Sequence, residues 1–258
     1  MSNTSQFSSQ ISSIIQFLQK TFDNTGKKNA VIGVSGGIDS ALSLSLLVQT
    51  LPKNQIWPIL LPYGRQEMND AETILDFWQI PVENRKILNI SSMVDALCKS
   101  LLIDDSDKLR KGNVMARVRM IAIFDYAKSK NALVVGTENK SEHYLGYFTR
   151  FGDEASDIEP LADLYKTQVR QVVKELNLPA IFLEKKPSAD LWQGQNDEAE
   201  LGFSYELADQ VLVHLIDQKI PFAKIPALFA KEKQVEVEKI LARIQAMAFK
   251  REVPYSLS

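Results

Sequence analysis

The chain has 258 residues, 45% of them hydrophobic and 24% charged. That is enough apolar surface for a substantial core; it fits one domain, 1–258, better than two, and excludes the disordered and membrane-embedded classes. The 30 basic and 32 acidic residues nearly cancel, so there is no overall footprint for nucleic acid or anionic lipid, and an anionic partner must be met locally.

The opening MSNTSQFSSQISSIIQFLQK has neither a basic start nor a continuous apolar block. No run of about 18 apolar residues occurs anywhere, so a cytoplasmic protein is expected. Ile11, Ile14, Ile15, Leu18 and Phe22 recur at the spacing of an amphipathic first helix. AVIGV then reads as a buried strand and residues 41–51 as a mostly apolar helix. IWPILLPY is a second strand, in which Pro58 cannot donate to a ladder and points to an edge or a strand start. NDAETILDFW repeats the helical stripe, with Asn69 or Asp70 as its cap. KILNI is a third strand, and SSMVDALCKSLL a helix with Ser92 and Asp95 at capping-box spacing. In it Cys98, the only cysteine, reads as a packed core residue; a lone cysteine excludes an internal disulfide and a cysteine-clustered zinc site. A long helix over 113–128 leads to a fourth strand, NALVVGT. Strands separated by helices imply parallel pairing, hence an α/β fold: a three-layer open parallel sheet with helices on both faces, followed by a helical C-terminal region.

An open parallel sheet binds ligands at the carboxyl ends of its strands. SGGIDS, residues 35–40, stands at such an end. Two glycines let backbone approach an oxyanion, and the following helix start supplies free N–H groups and partial positive charge. The segment is a phosphate cradle or a plain tight turn. It is neither a Walker A loop, since no Gly-Lys-Ser/Thr follows, nor the three-glycine dinucleotide pattern.

SGGIDS resembles the pyrophosphate-binding loop of the ATP pyrophosphatases. LPYGRQ, KGNVMARVRM, VVGTENKSEHYLGYFTRFGD, DIEPLADLYKTQV, KKPSADLWQGQNDEAELGFSY and FKREVP, spread in order over residues 61–254, resemble the ammonia-dependent NAD synthetases within that superfamily. The resemblance implies an adenine nucleotide alpha hydrolase-like fold. It also implies a ligase that adenylates the nicotinate carboxylate of deamido-NAD with ATP, releases pyrophosphate, and lets ammonia displace AMP to give NAD. Magnesium is the implied cofactor, and a homodimer with deamido-NAD at the subunit interface the implied assembly.

By the same resemblance Asp39 and Glu142 match the magnesium ligands, and Gly33, Ser35, Gly36, Gly37, Asp39, Ser40, Thr137, Lys166 and Ser188 the ATP site. Asn113, Arg117, Arg150, Asp157 and Lys250 match deamido-NAD positions. Asp153 matches a candidate proton acceptor for ammonium or the attacking amine, and Lys166 joins it as a catalytic candidate. The residues also permit blander readings: Asp39 as a helix cap, Glu142 on a solvated helix face, Lys166 as an exposed lysine early in a helix, Asp153 as a turn residue beside Gly152. His143 and His214 form no cluster, and His214 reads as structural. The helices at Val114–Tyr126 and at Val237, Ile240, Leu241, Ile244 and Met247 offer apolar faces to core or partner.

Two departures stand out. Glu154 follows the loop aspartate where the family commonly has glycine, so the loop closes differently if that glycine has positive φ; Phe249 stands where a histidine often precedes the lysine. Glutamine-using relatives carry an amidotransferase domain with a nucleophilic cysteine, for which this sequence has no candidate, so free ammonia is the expected nitrogen source, with a separate amidotransferase chain as the alternative. Two rival functions remain at this level: another ATP pyrophosphatase such as a tRNA thiolase, which a single cysteine and balanced charge disfavour, and a nucleotide-binding regulator that has lost the chemistry.

Overall fold

The computed structural model describes residues 3–185, 187–188, 191–192 and 194–255, without the side chains of 3–6; residues 186, 189, 190 and 193 of the KKPSADLWQGQ stretch lie outside it. Four parallel strands, β1 (Asn29–Gly33), β2 (Ile56–Leu60), β3 (Lys86–Ile87) and β4 (Ala132–Val135), lie in the order β3-β2-β1-β4. The register aligns Ala30 with Ile56 and with Leu133. Alternate strand residues face opposite layers. Ala30, Ile32, Ile56 and Leu60 pack on α1 (Asn3–Thr25), α2 (Ile38–Val48) and α3 (Asn69–Phe77), and on Val169, Val172 and Phe182 from later in the chain. Val31, Ile59 and Val134 pack on α4 (Ser91–Ser100) and α5 (Lys108–Ser129). The three-layer arrangement follows.

After β4 the chain forms α6 (Lys140–Leu145), α7 (Lys166–Glu175), α8 (Ile181–Glu184), α9 (Asp197–Leu201), α10 (Tyr205–Leu212) and α11 (Lys231–Ala246). A separate cluster joins α6, α9, α10 and α11, with Val237, Ile240, Leu241 and Ile244 buried. The apolar face of α11 is therefore core. On α5, Val114, Met115 and Val118 are buried, whereas Leu109 and Ile121 are exposed. Among the described residues no helix is long and apolar enough to cross a membrane.

Several local expectations need correction. β2 is an inner strand rather than an edge; Pro58 is tolerated because β3 begins pairing only at Ile59, leaving no ladder partner on that side of the proline. β3 has two residues instead of five. The helix after it is entered through Asn89, whose side-chain oxygen accepts from the Ser91 N–H (3.0 Å) and hydroxyl (2.6 Å), so Ser92 and Asp95 make no box. Residue Met68, and neither Asn69 nor Asp70, holds the cap position of α3. α5 starts five residues earlier than the apolar stripe implies, because the Asp107 carboxylate accepts from the Arg110 N–H at 3.1 Å. α2 begins at Ile38, which brings Asp39 and Ser40 into its first turn. Cys98 is buried, as its helical spacing implies.

Candidate active site

The chain leaves β1 toward β2 on one side and reaches β4 on the other, so the strand order reverses between β1 and β4. A cleft of about 260 Å³ opens at the carboxyl ends of these two strands. One wall is the loop from Val34 to Gly37. Gly36 has φ +82°, and a Cβ there would stand 2.8 Å from the Asp70 Cβ, so only glycine fits this turn. The Gly37 N–H donates to Ser35 Oγ (3.2 Å), the Ser35 N–H to Ser40 Oγ (3.3 Å), and the Ser40 hydroxyl to the Gly37 carbonyl (3.0 Å). Gly33 leaves space for Ile123, whose Cδ1 would lie 3.0 Å from an added Cβ.

Opposite the loop, Lys166 Nζ lies 2.6 Å from Asp39 Oδ2 and 2.8 Å from Glu142 Oε1. The lysine side chain is 4% exposed and the two carboxylates 17% and 16%. Lys166 is therefore no exposed lysine, and Glu142 lies on no solvated face. Asn139 Nδ2 donates to Asp39 Oδ1 at 2.9 Å, while the Asn139 side-chain oxygen caps α6 by accepting from the Glu142 N–H. The Lys166 N–H donates to Ser141 Oγ and the Thr167 N–H to Asp209 Oδ2, which fixes the start of α7. The Tyr205 ring lies under the ammonium, 5.3 Å from centroid to Nζ.

Burial alone would lower the Lys166 pKa, but Asp39 and Glu142 outweigh it and hold the ammonium charged. Burial pushes Glu142 up, Lys166 opposes it, and the Asp39 charge adds to it. The trio carries one positive charge against two acidic groups, which suits a site completed by a cation. Two carboxylates sharing one nitrogen, open to the cleft, are the donor set magnesium takes when phosphate and water supply the rest. Among the described residues no group of three or more metal-type ligands occurs.

Thr137, Ser188 and Asp153 also line the cleft. Asp153 is exposed as a residue, yet its carboxylate faces the loop, accepting from the Thr149 N–H at 2.9 Å. Crowding around it raises its pKa, opposed by that N–H and by Lys250. Asn113, Arg117, Arg150, Asp157 and Lys250 do not line the cleft. Four of them surround the adjoining loop instead: Asn113 accepts from the Thr149 hydroxyl (2.9 Å), Arg117 Nε donates to the Arg150 carbonyl (3.3 Å), and Lys250 Nζ donates to the carbonyls of Gly146 (2.7 Å) and Phe148 (2.6 Å). Asp157 sits beside β4, its Oδ2 accepting from the Val134 N–H at 2.7 Å.

The two departures have structural answers. Glu154 is not in a left-handed conformation; Phe151 is, with φ +57°, and Glu154 Oε1 accepts its N–H at 3.1 Å. Phe249 lies under the Arg150 guanidinium, 5.1 Å from the ring centroid.

The NAD synthase family model matches residues 10–254. The chain belongs to the NAD synthase family. It is 41% identical over 245 residues to the NH(3)-dependent NAD(+) synthetase of Fusobacterium nucleatum, covering 93% of this chain and 92% of that one. The NH(3)-dependent NAD(+) synthetase of Thermococcus sibiricus is 37% identical, over 95% of this chain and 94% of its own. Among solved structures, the NH3-dependent NAD synthetase of Campylobacter jejuni, in complex with the nitrate ion, superposes with a TM-score of 0.79 at 30% identity, covering 98% and 99% of the two chains. The NMN synthetase of Francisella tularensis gives 0.81 at 32% identity, over 100% and 99%.

This NAD synthase family member brings further side chains to the site that were not among the matched positions. Asn139 is the clearest, fully buried behind the cleft wall where it donates to Asp39, and its signal was present: asparagine three residues before a glutamate, shortly after a strand, is an N-cap pattern. Arg119 donates to the Leu61 carbonyl (3.1 Å) and to Gln66 (3.2 Å), and Tyr147, Arg170 and Asp197 line the same space.

Proposed function

We propose that the chain carries out its family's reaction, the ATP-dependent amidation of deamido-NAD with ammonia, using Asp39, Glu142 and Lys166 as its phosphate-side machinery. The carrying observation is the contact of Lys166 with both carboxylates at the strand-order reversal, facing the Ser35–Gly37 loop. In this reading Gly33, Ser35, Gly36, Gly37, Ser40, Thr137 and Ser188 surround the triphosphate. The long internal hydrogen bonds of the loop exchange for phosphate oxygens. Ile59, Met120 and Ile123 give the adenine an apolar wall.

Asp39 and Glu142 would hold Mg2+, which supplies charge neutralisation for the triphosphate when the nicotinate carboxylate attacks the α-phosphorus. Lys166, kept protonated by its partners, adds a fixed positive charge where negative charge develops. Asn113, Arg117, Arg150, Asp157 and Lys250 hold deamido-NAD around the 146–157 loop. Asp153, at the junction of that loop and the cleft, receives the proton that ammonium or the attacking amine loses. Exposed Leu97 on α4, Leu101 just after it, and Leu109 and Ile121 on α5 support a homodimer built on this helix pair, with deamido-NAD at the interface.

The test is incubation with magnesium-ATP and deamido-NAD, with and without ammonium, following NAD, AMP and pyrophosphate. NAD formed only with ammonium, together with AMP and pyrophosphate, is expected. The likeness to an NMN synthetase gives a second reading, the mononucleotide analogue as acceptor, and offering both acceptors in competition decides between them.

A further inference from the structure

Among the described residues the cationic side chains lining the cleft are Arg119, Lys166, Arg170 and Lys185. Lys166 is countered by two carboxylates, and Lys185 Nζ lies 2.7 Å from Asp70 Oδ2. Arg170 differs. Its Nη2 donates to a neutral acceptor, the Leu183 carbonyl, at 2.8 Å, and among the described residues no carboxylate is at ion-pair distance from it. It stands one turn after Lys166 on α7, hence on the same side of that helix.

A second cavity, of about 180 Å³, lies against the first. Lys166, Arg170, Lys185 and Pro187 line both, so they form the neck between them. Beyond that neck the smaller cavity is lined by Glu184, Glu198 and Glu206. The charge order is therefore basic at the junction and acidic beyond it.

We propose that Arg170 binds inorganic pyrophosphate at this neck once it is cleaved from ATP, and that the acidic cavity beyond limits how tightly it is held. This rests on the reading that ATP phosphates occupy the Ser35–Gly37 loop. Breaking the bond between the α- and β-phosphates leaves pyrophosphate with more negative charge than the same two groups carried within ATP. A guanidinium with most of its donors unspent meets that charge with a fork matched to phosphate oxygens. The three glutamates past the neck repel the anion, which bars it from the smaller cavity and weakens its hold at Arg170, so that it returns through the open cleft.

Product inhibition by added pyrophosphate tests this, measured in the forward reaction on the wild type, Arg170→Gln, Arg170→Lys and Glu206→Lys. R170Q is expected to raise the pyrophosphate inhibition constant about tenfold, with KM for deamido-NAD and the melting temperature little changed. R170K, which keeps the charge and loses the fork, recovers part of that loss. E206K, at an exposed position on the acidic side, is expected to tighten inhibition several-fold by replacing part of that repulsion with attraction, and it carries the test if R170Q does not fold. A role limited to holding Leu183 would lower the melting temperature while R170Q is inhibited like the wild type, and that result overturns the inference. A wild type that makes NAD yet is indifferent to pyrophosphate also overturns it. A wild type that neither makes NAD nor releases pyrophosphate instead removes the ATP reading beneath it.

Discussion

Replacing Lys166 with methionine removes the one cation between Asp39 and Glu142 while keeping most of the side-chain volume. The ammonium is 4% exposed and 2.6 and 2.8 Å from its partners, so the variant leaves two mostly buried carboxylates facing each other. Breaking a buried ion pair by deleting one member costs about 3–5 kcal/mol. The carboxylates keep about a sixth of their surface in water, which places the cost near the low end, about 3 kcal/mol. For a chain of this size that corresponds to a fall in melting temperature of roughly 6–12 °C. Thermal unfolding in chelator and again in excess Mg2+ checks it. A divalent cation between the two carboxylates replaces the missing charge, so the deficit of K166M should shrink in Mg2+ while NAD formation stays lost. A fall below about 2 °C, or the same Mg2+ response in both proteins, would refute the coupling of lysine, carboxylates and metal.

Asp39→Asn should cut pyrophosphate release by at least about 100-fold, the scale of losing one preorganised charge-stabilising group, while circular dichroism stays native; undiminished release removes Asp39 from the metal role. Gly36→Ala forces a side chain into φ +82° and against Asp70, costing about 1–2 kcal/mol. It should raise KM for ATP more than KM for deamido-NAD, and equal effects would mean the loop does not hold phosphate. Burial pushes Glu159 up to about 8, against the donating hydroxyl of Ser156 (2.7 Å). The folded chain then holds a proton there that the unfolded chain has released, so stability falls as pH rises from the ordinary 4.5 through 8. Glu159→Gln should flatten that fall by up to about 1.4 kcal/mol per pH unit in denaturant titrations; parallel slopes would contradict it.

The alternation of strands and helices was legible because each carries its own hydrophobic period, and the loop at the end of β1 because Gly36 and Gly37 break one period just before the next begins. The pairing of Lys166 with Asp39, 127 residues apart, was not legible from pattern. Nothing in DLYKTQV distinguishes a buried lysine from an exposed one until α6 and α7 are packed together. Residue types suggested a cap at Ser92, but Asn89, two residues before the Ser91 N–H, competes for the same helix end and wins through an Asx turn. Glu154 raised the question of how the 149–154 loop closes. Only the backbone shows that Phe151 takes the positive φ, since a bulky residue is disfavoured there in any sequence-level reading.

In the proposed reaction the bend at Ser35–Gly37 and the carboxylate of Asp39 together grip the phosphates that leave. A crystal structure with magnesium and an ATP analogue that resists cleavage between the α- and β-phosphates tests it most directly. The β- and γ-phosphates should accept from the N–H groups of this bend, with the metal on Asp39 and Glu142. A triphosphate bound elsewhere, with the Ser35–Ser40 hydrogen bonds still intact, would contradict that role.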